Sequence, residues 1–146
     1  MKLSAWFWTF LVGATFLAYC TNAETWIEPR EFRGNLCYDG DTCYITATVL
    51  PDSLNKMSVR VLGIDTPEIR GDCEEEKALA QKGKKLANEL FRSATSIEYR
   101  DLKWDKYGGR VLGDIILSNG KLASKTLIAK GYGRPYHGEK KKMWTI

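Results

Sequence analysis

Histidine is nearly missing: the chain of 146 residues holds one, His137. A zinc hydrolase centre wants several ligands of that type, and catalysis by paired histidines or by a histidine–metal finger needs imidazoles where this chain has none. His137 itself falls in a polar tail and reads as a surface residue. No zinc-type cysteine array, long repeat or low-complexity tract is present. Long hydrophobic runs are absent too, because the one apolar block, residues 5–19, is short of the roughly 20 residues that a spanning helix requires. A large excess of one charge is also lacking. The net charge of +4 is compatible with an anionic polymer as partner, but it does not indicate one by itself.

What is there begins with an address. The apolar block follows Met1-Lys-Leu-Ser and precedes Thr21-Asn-Ala23, which offers small residues at the minus-three and minus-one positions of a cleavage site. Residues 1–23 therefore read as a secretory signal peptide cut before Glu24, and residues 24–146 as one exported domain, periplasmic or extracellular. A lipoprotein reading through Leu17-Ala-Tyr-Cys20 meets a bulky Tyr19 where a small residue belongs. Loss of the leader removes Lys2 and no acid, so +4 becomes +3. Of the cysteines, Cys37, Cys43 and Cys73 then remain. In an exported chain they should oxidise where geometry allows, and an odd number leaves one unpaired. Cys37 and Cys43 flank an Asp-Gly turn and can face each other across it; Cys73 paired with either is the competing arrangement.

Residues 24–35 are polar, contain Pro29 and read as a lead-in. Residues 44–50 alternate as a β-strand rich in branched side chains, 51–56 as the connecting turn and 59–64 as the next strand. Asp72-Cys-Glu-Glu75 resembles a capping box with Asp72 as the cap. The helix that follows carries Leu79, Gly83, Leu86 and Leu90 as an apolar stripe, with Lys82, Lys84 and Lys85 mainly off it as a solvated face. Residues 96–101 and 110–117 are further strands, Ser118-Asn-Gly120 is a turn, and 122–130 is a short helix stopped by Gly131. The tail, 132–146, is basic and aromatic, with Lys140, Lys141 and Lys142 in a run. Short strands around one main and one lesser helix make an α+β domain; periodicity does not decide how the sheet closes.

The stretch from Met57 to Glu68 organises the rest. An apolar strand delivers Arg60, Asp65 and Glu68 in quick succession, and Asp65-Thr-Pro67 ends the strand because proline has no N–H for a ladder. Two acids and a guanidinium at a strand end suit a metal or a phosphate better than a core. Taken alone, the tetrapeptide is equally an ordinary turn with solvated acids. Upstream, Tyr38-Asp-Gly-Asp-Thr42 is a hairpin-like turn that brings Asp41 towards Asp65 if the flanking strands pair. Hard carboxylate oxygens without a soft ligand favour Ca²⁺ or Mg²⁺ over zinc or copper. An EF-hand is excluded: counted from Asp39, its loop would need a glycine and a glutamate where the chain has Tyr44 and Leu50.

Together Asp39-Gly-Asp-Thr42 and Arg60-Val-Leu-Gly-Ile-Asp-Thr-Pro-Glu68 resemble the signature of the thermonuclease family, the staphylococcal-nuclease-like phosphodiesterases. Asp105-Lys-Tyr-Gly-Gly-Arg110 is similar to the family's third motif, with one extra glycine, and the resemblance extends from about Asn35 to Trp144. It implies a five-stranded OB-fold β-barrel with packed helices, a fold that commonly binds oligonucleotides along one face. It further implies a monomeric endonuclease that hydrolyses DNA and RNA with little sequence selectivity and leaves 3′-phosphate ends. Ca²⁺, in preference to Mg²⁺, would be held by Asp41, Asp65 and the backbone carbonyl of Thr66. Arg60 and Arg110 would hold the phosphate, and Glu68 would act as general base. Lys106, Tyr107 and Tyr136 are substrate-binding candidates; Trp104 is a further stacking candidate, with ordinary packing as the alternative for Trp104 and Tyr136. The extra glycine either swings Arg110 away or is absorbed by the loop, and absorption is the expectation. The rival readings are a noncatalytic OB-fold module that binds single strands and a disulfide-stabilised interaction domain. Neither explains the retained acids and arginines.

Overall fold

The computed structural model describes residues 26–144; the leader expected over residues 1–23 lies outside the described residues. The elements follow as β1 (Ile27–Pro29), β2 (Thr42–Ala47), β3 (Lys56–Val61), β4 (Ile64–Asp65), α1 (Glu74–Ser93), β5 (Ile97–Trp104), β6 (Arg110–Leu117), α2 (Ala123–Ala129) and β7 (Arg134–Pro135). Five strands form one sheet in the order β1-β2-β3-β6-β5, while β4 and β7 pair separately. Neighbours in the large sheet are antiparallel except β3 and β6, which run parallel. Strict alternation explains why these strands form. Cys43, Ile45 and Ala47 of β2, Met57, Val59 and Val61 of β3, and Val111, Ile115 and Leu117 of β6 point into one core. The intervening residues face outward. A bulge between Arg100 and Lys103, at a left-handed Asp101, helps to curl the edge. The result is an α+β domain with a curled, five-stranded half-barrel of the OB-like class, with β1 and β5 as its edges.

The strand expected over residues 44–50 starts and ends earlier, as β2, with residues 48–50 turning away, and the one expected over 96–101 extends to Trp104 as β5; three further elements differ from the sequence expectation. The polar lead-in contains β1, which escapes notice because only Ile27 of its three residues is buried. Pro29 is tolerated there because β1 is an edge strand. The expected strand over residues 59–64 breaks at Gly63, whose φ of +74° turns the chain, so Ile64 and Asp65 pair with Pro135 and Arg134 instead. Finally, Cys73 rather than Asp72 caps α1: its Sγ accepts from the Glu76 N–H. The buried stripe of α1 is also turned. Ala80, Gly83, Ala87 and Phe91 face inward and the leucines flank them, since small residues let the helix lie close to its neighbours.

Asn88 ties this helix to the start of the sheet. Its Oδ1 accepts from the N–H groups of Leu36 and Cys37 at 2.6 and 3.1 Å, and its Nδ2 donates to the carbonyls of Cys37 and Lys84 at 3.1 and 2.9 Å. Asn88→Ala leaves buried backbone groups without partners and should cost about 2–3 kcal/mol of stability. Thermal unfolding followed by circular dichroism should show a midpoint lower by about 10 °C. A shift within a degree or two would mean that water replaces the amide without loss.

Candidate active site

The turn from Tyr38 to Thr42 is closed by a 2.8 Å hydrogen bond from the Tyr38 N–H to the Thr42 carbonyl and, one step outward, by a disulfide between Cys37 and Cys43. Cys73 is free. Gly40 is required by close approach: a Cβ there would lie 2.8 Å from Cγ2 of Thr66. Glycine thus lets the first motif press against the second. Asp41 meets the strand-end turn directly, its Oδ2 accepting from the Thr66 N–H at 3.0 Å, and its Oδ1 pairs with Arg60. Asp39 holds the turn by accepting from the Asp41 N–H at 3.1 Å.

Asp41 and Asp65 are 0 % and 1 % exposed, an arrangement that demands countercharge. Arg60 spans them, pairing with Asp41 and lying 3.8 Å from Oδ1 of Asp65. Arg134 donates to Oδ2 of Asp65 at 2.9 and 3.2 Å. Lys141 from the tail reaches in from the other side, 3.0 Å from Oδ1 of Asp65 and 2.8 Å from Oε1 of Glu68. Burial, reinforced by the neighbouring charge of Asp39, pushes the Asp41 carboxyl up to about 7 despite Arg60. Burial raises Asp39 as well. Burial would lower the Lys141 ammonium, but its bonds to Glu68 and Asp65 outweigh that and hold it above the ordinary lysine value.

Glu68 lies beyond Pro67 and is exposed. Its backbone is fixed from below by buried Glu76, which accepts from the Glu68 N–H at 3.2 Å and, through its other oxygen, from the Asp72 N–H at 3.3 Å. Arg60 and Arg110 share the outer face of the sheet, because Ser58 stands opposite Arg110 and Arg60 opposite Leu112. Gly109, the second glycine of the pair, adopts φ +74°, and Arg110 opens β6 with Nε 2.5 Å from Oδ2 of Asp105. Tyr107 packs beside it, with the Arg110 guanidinium 5.2 Å and the Lys106 ammonium 5.0 Å from its ring centre.

These side chains surround a cleft of about 470 Å³. Arg60, Glu68, Lys106, Tyr107, Arg110 and Tyr136 all line it, with Asp39, Asp105 and Lys141. Asp41, Asp65 and Thr66 are buried and do not line it; the two acids connect to it through Arg60. Trp104 is exposed and outside the lining, and His137 is exposed. Sequence reasoning missed Arg134, Lys141 as a site residue, and Glu76. Arg134 carried no signal, since its partner is 69 positions away, and Glu76 looked like one more acid in a helix's first turn.

The donor set can be tested against a divalent cation. Among the described residues no three His, Cys, Asp or Glu side chains gather around one point. Asp41 and Asp65, joined by Arg60, nevertheless offer hard carboxylate oxygens of the kind that a divalent cation with water and phosphate takes. Oδ1 of Asp65 is buried, and among the described residues its neighbours are the Lys141 ammonium at 3.0 Å and the Arg60 guanidinium at 3.8 Å. A buried anionic oxygen that already draws two cationic side chains fits a cation that competes with them.

A curled OB-like sheet with acids and guanidiniums gathered at one cleft defines a domain of the nucleic-acid-handling class. A family model for staphylococcal nuclease homologues matches residues 58–144, well over half of the chain, and the chain belongs to that family. The match begins within β3, so the Asp-Gly-Asp-Thr turn precedes it and joins it through Asp41 and Thr66. A comparison with curated proteins finds none that matches. Among the described residues no helix is long and apolar enough to cross a membrane.

Proposed function

We propose that the chain is an exported, Ca²⁺-dependent endonuclease that hydrolyses phosphodiester bonds of DNA and RNA, with residues 1–23 as its signal peptide and residues 24–146 as the working domain. The observation that carries this reading is the convergence of Arg60, Arg110 and Glu68 on one cleft, with Arg60 joined to buried Asp41 and Asp65. A phosphodiester resists attack because its anionic oxygens repel nucleophiles and its transition state concentrates charge on them. Two guanidiniums on one sheet face can hydrogen-bond those oxygens in fixed geometry. Glu68, at the rim, orients the attacking water and takes its proton. Lys106 and Tyr107 guard the mouth, where a terminal phosphate or a base would rest. Asp41, Asp65 and the Thr66 carbonyl would hold Ca²⁺, which supplies charge neutralisation for a nonbridging phosphate oxygen when bound.

Lys141 has a consequence for that ion. Its ammonium lies against carboxylates on either side of the Thr66 turn and competes with any second cation for Asp65. Lys141→Met should tighten Ca²⁺ binding, measured by titration calorimetry in the absence of substrate, by about two- to fivefold, the strength expected of a partly exposed pair. Weaker binding would make Lys141 a support of the site rather than a competitor.

The experiment that tests the reaction is end-group analysis of products from single-stranded DNA and RNA. Hydrolysis as proposed yields fragments that a polymerase extends only after phosphatase treatment. Directly extendable products would place the cut on the other side of phosphorus. Binding of both polymers without cleavage would favour the noncatalytic module.

A further inference from the structure

Four side chains beside the cleft have no part in the chemistry above. Arg30, Phe32, Arg33 and Tyr44 form one cluster: the Phe32 and Tyr44 rings meet edge to face at 5.3 Å, and the Arg30 guanidinium lies 5.6 and 5.3 Å from their centres. Arg33 covers Phe32 at 5.2 Å. Arg30 is held by the carbonyl of Ile45 at 3.3 Å, and its charge is offered to rings instead of a carboxylate. Phe32 is 43 % exposed, unusual for a large apolar ring with a fixed position. It is fixed because Phe32 and Asn35 exchange backbone hydrogen bonds at 2.8 and 3.1 Å across Arg33 and Gly34.

Both central residues of that turn have positive φ, 50° for Arg33 and 75° for Gly34. Such a turn favours asparagine and glycine, and an arginine in the left-handed region is costly for folding. The strain places a guanidinium at an exposed tip. Register places the cluster relative to the cleft. Tyr44 stands opposite Ser58, and Ser58 opposite Arg110, so Tyr44 and Arg110 share the outer face two strands, or about 10 Å, apart. Tyr38, paired with Thr42 on the way from one to the other, lines the cleft.

We infer that Arg30, Phe32, Arg33 and Tyr44 form a second contact site for single-stranded nucleic acid, where a base stacks on Phe32 and the arginines hold a phosphate beyond the one being cleaved. The inference rests on the nuclease reading and extends its substrate contacts along one face of the sheet. Rings backed by guanidiniums suit any base, because every base has a π-face, and the adjoining positive charge follows the backbone. Phe32 is exposed, and among the described residues neither Arg30 nor Arg33 forms an ion pair with a carboxylate, so a ring and positive charge stand together at the surface.

The test compares two probes on the full mature chain, a thymidine dinucleotide and a thymidine 12-mer, in Ca²⁺ and with Glu68→Gln in the background so that neither is consumed. Phe32→Ala combined with Arg33→Ala should weaken 12-mer binding about tenfold and leave dinucleotide binding unchanged. The salt dependence of 12-mer binding should become shallower by about one counterion. Arg33→Asn supplies a second variant in which folding is favoured, since asparagine accepts the left-handed turn. Its unfolding midpoint should not fall, yet 12-mer affinity should drop severalfold. Unchanged 12-mer binding in both variants, or equal losses with both probes, would overturn the second site while leaving the nuclease reading intact. A parent chain that binds neither probe would overturn both.

Discussion

Glu68→Gln should lower the turnover of single-stranded DNA by about 10²–10⁴-fold, the range expected when a positioned general base is removed. The fold should survive, because the Glu68 side chain is 51 % exposed and its one ion pair is with Lys141, itself 45 % exposed. The Glu68 N–H, which anchors the loop to Glu76, is untouched by the change. Glutamine keeps the shape and can still hold a water, so binding of substrate should change little and the loss should fall on kcat. Near-normal turnover would take Glu68 out of its assigned role and leave the cleft with phosphate-binding groups but no base.

Arg110→Ala should cut catalysis by about 10²–10³-fold, the cost of removing one preorganised donor to a developing charge. Lys106→Ala should cost much less than tenfold. The difference follows from how each cation is held. Arg110 opens β6, is fixed by Asp105 at 2.5 Å and lies against Tyr107, so its fork is directed before substrate arrives. Lys106 is exposed on the loop, with its ammonium 5.0 Å from the centre of the Tyr107 ring. Arg110→Lys should recover little, because a point charge does not reproduce a planar pair of donors. The reverse ranking, with Lys106 the more costly loss, would show that the glycine pair had changed which cation meets the phosphate.

Much of this site is readable from local sequence. The two acid-bearing turns announce themselves by Asp-Gly and Asp-Thr-Pro; two cysteines that flank one turn suggest the disulfide but leave Cys73 as a competing partner. Strands β2, β3 and β6 are legible because each alternates cleanly against a core. What stays hidden is set by distant contacts. β1 has too few buried residues to announce a strand, and α1 presents small residues to its neighbours where its leucines suggest the inner face. The surroundings of Asp65 depend on chain that returns late: Arg134 and Lys141 arrive from 69 and 76 positions away. No local pattern pairs them with Asp65, and a run of tail lysines looks like solvated charge. The extra glycine before Arg110 shows the intermediate case. That glycine accommodates unusual backbone angles is legible in the sequence, whereas the Asp105 contact that holds the guanidinium is visible only in three dimensions.

Cleavage of single-stranded DNA by the purified mature chain, with Ca²⁺, with Mg²⁺ and with a chelator, tests the central claim most directly. The account predicts rapid loss of polymer with Ca²⁺, none with the chelator, and recovery when Ca²⁺ is added back. Activity with Mg²⁺ alone would retain the nuclease and contradict the assigned ion. Intact DNA under every condition, bound but uncut, would contradict the account.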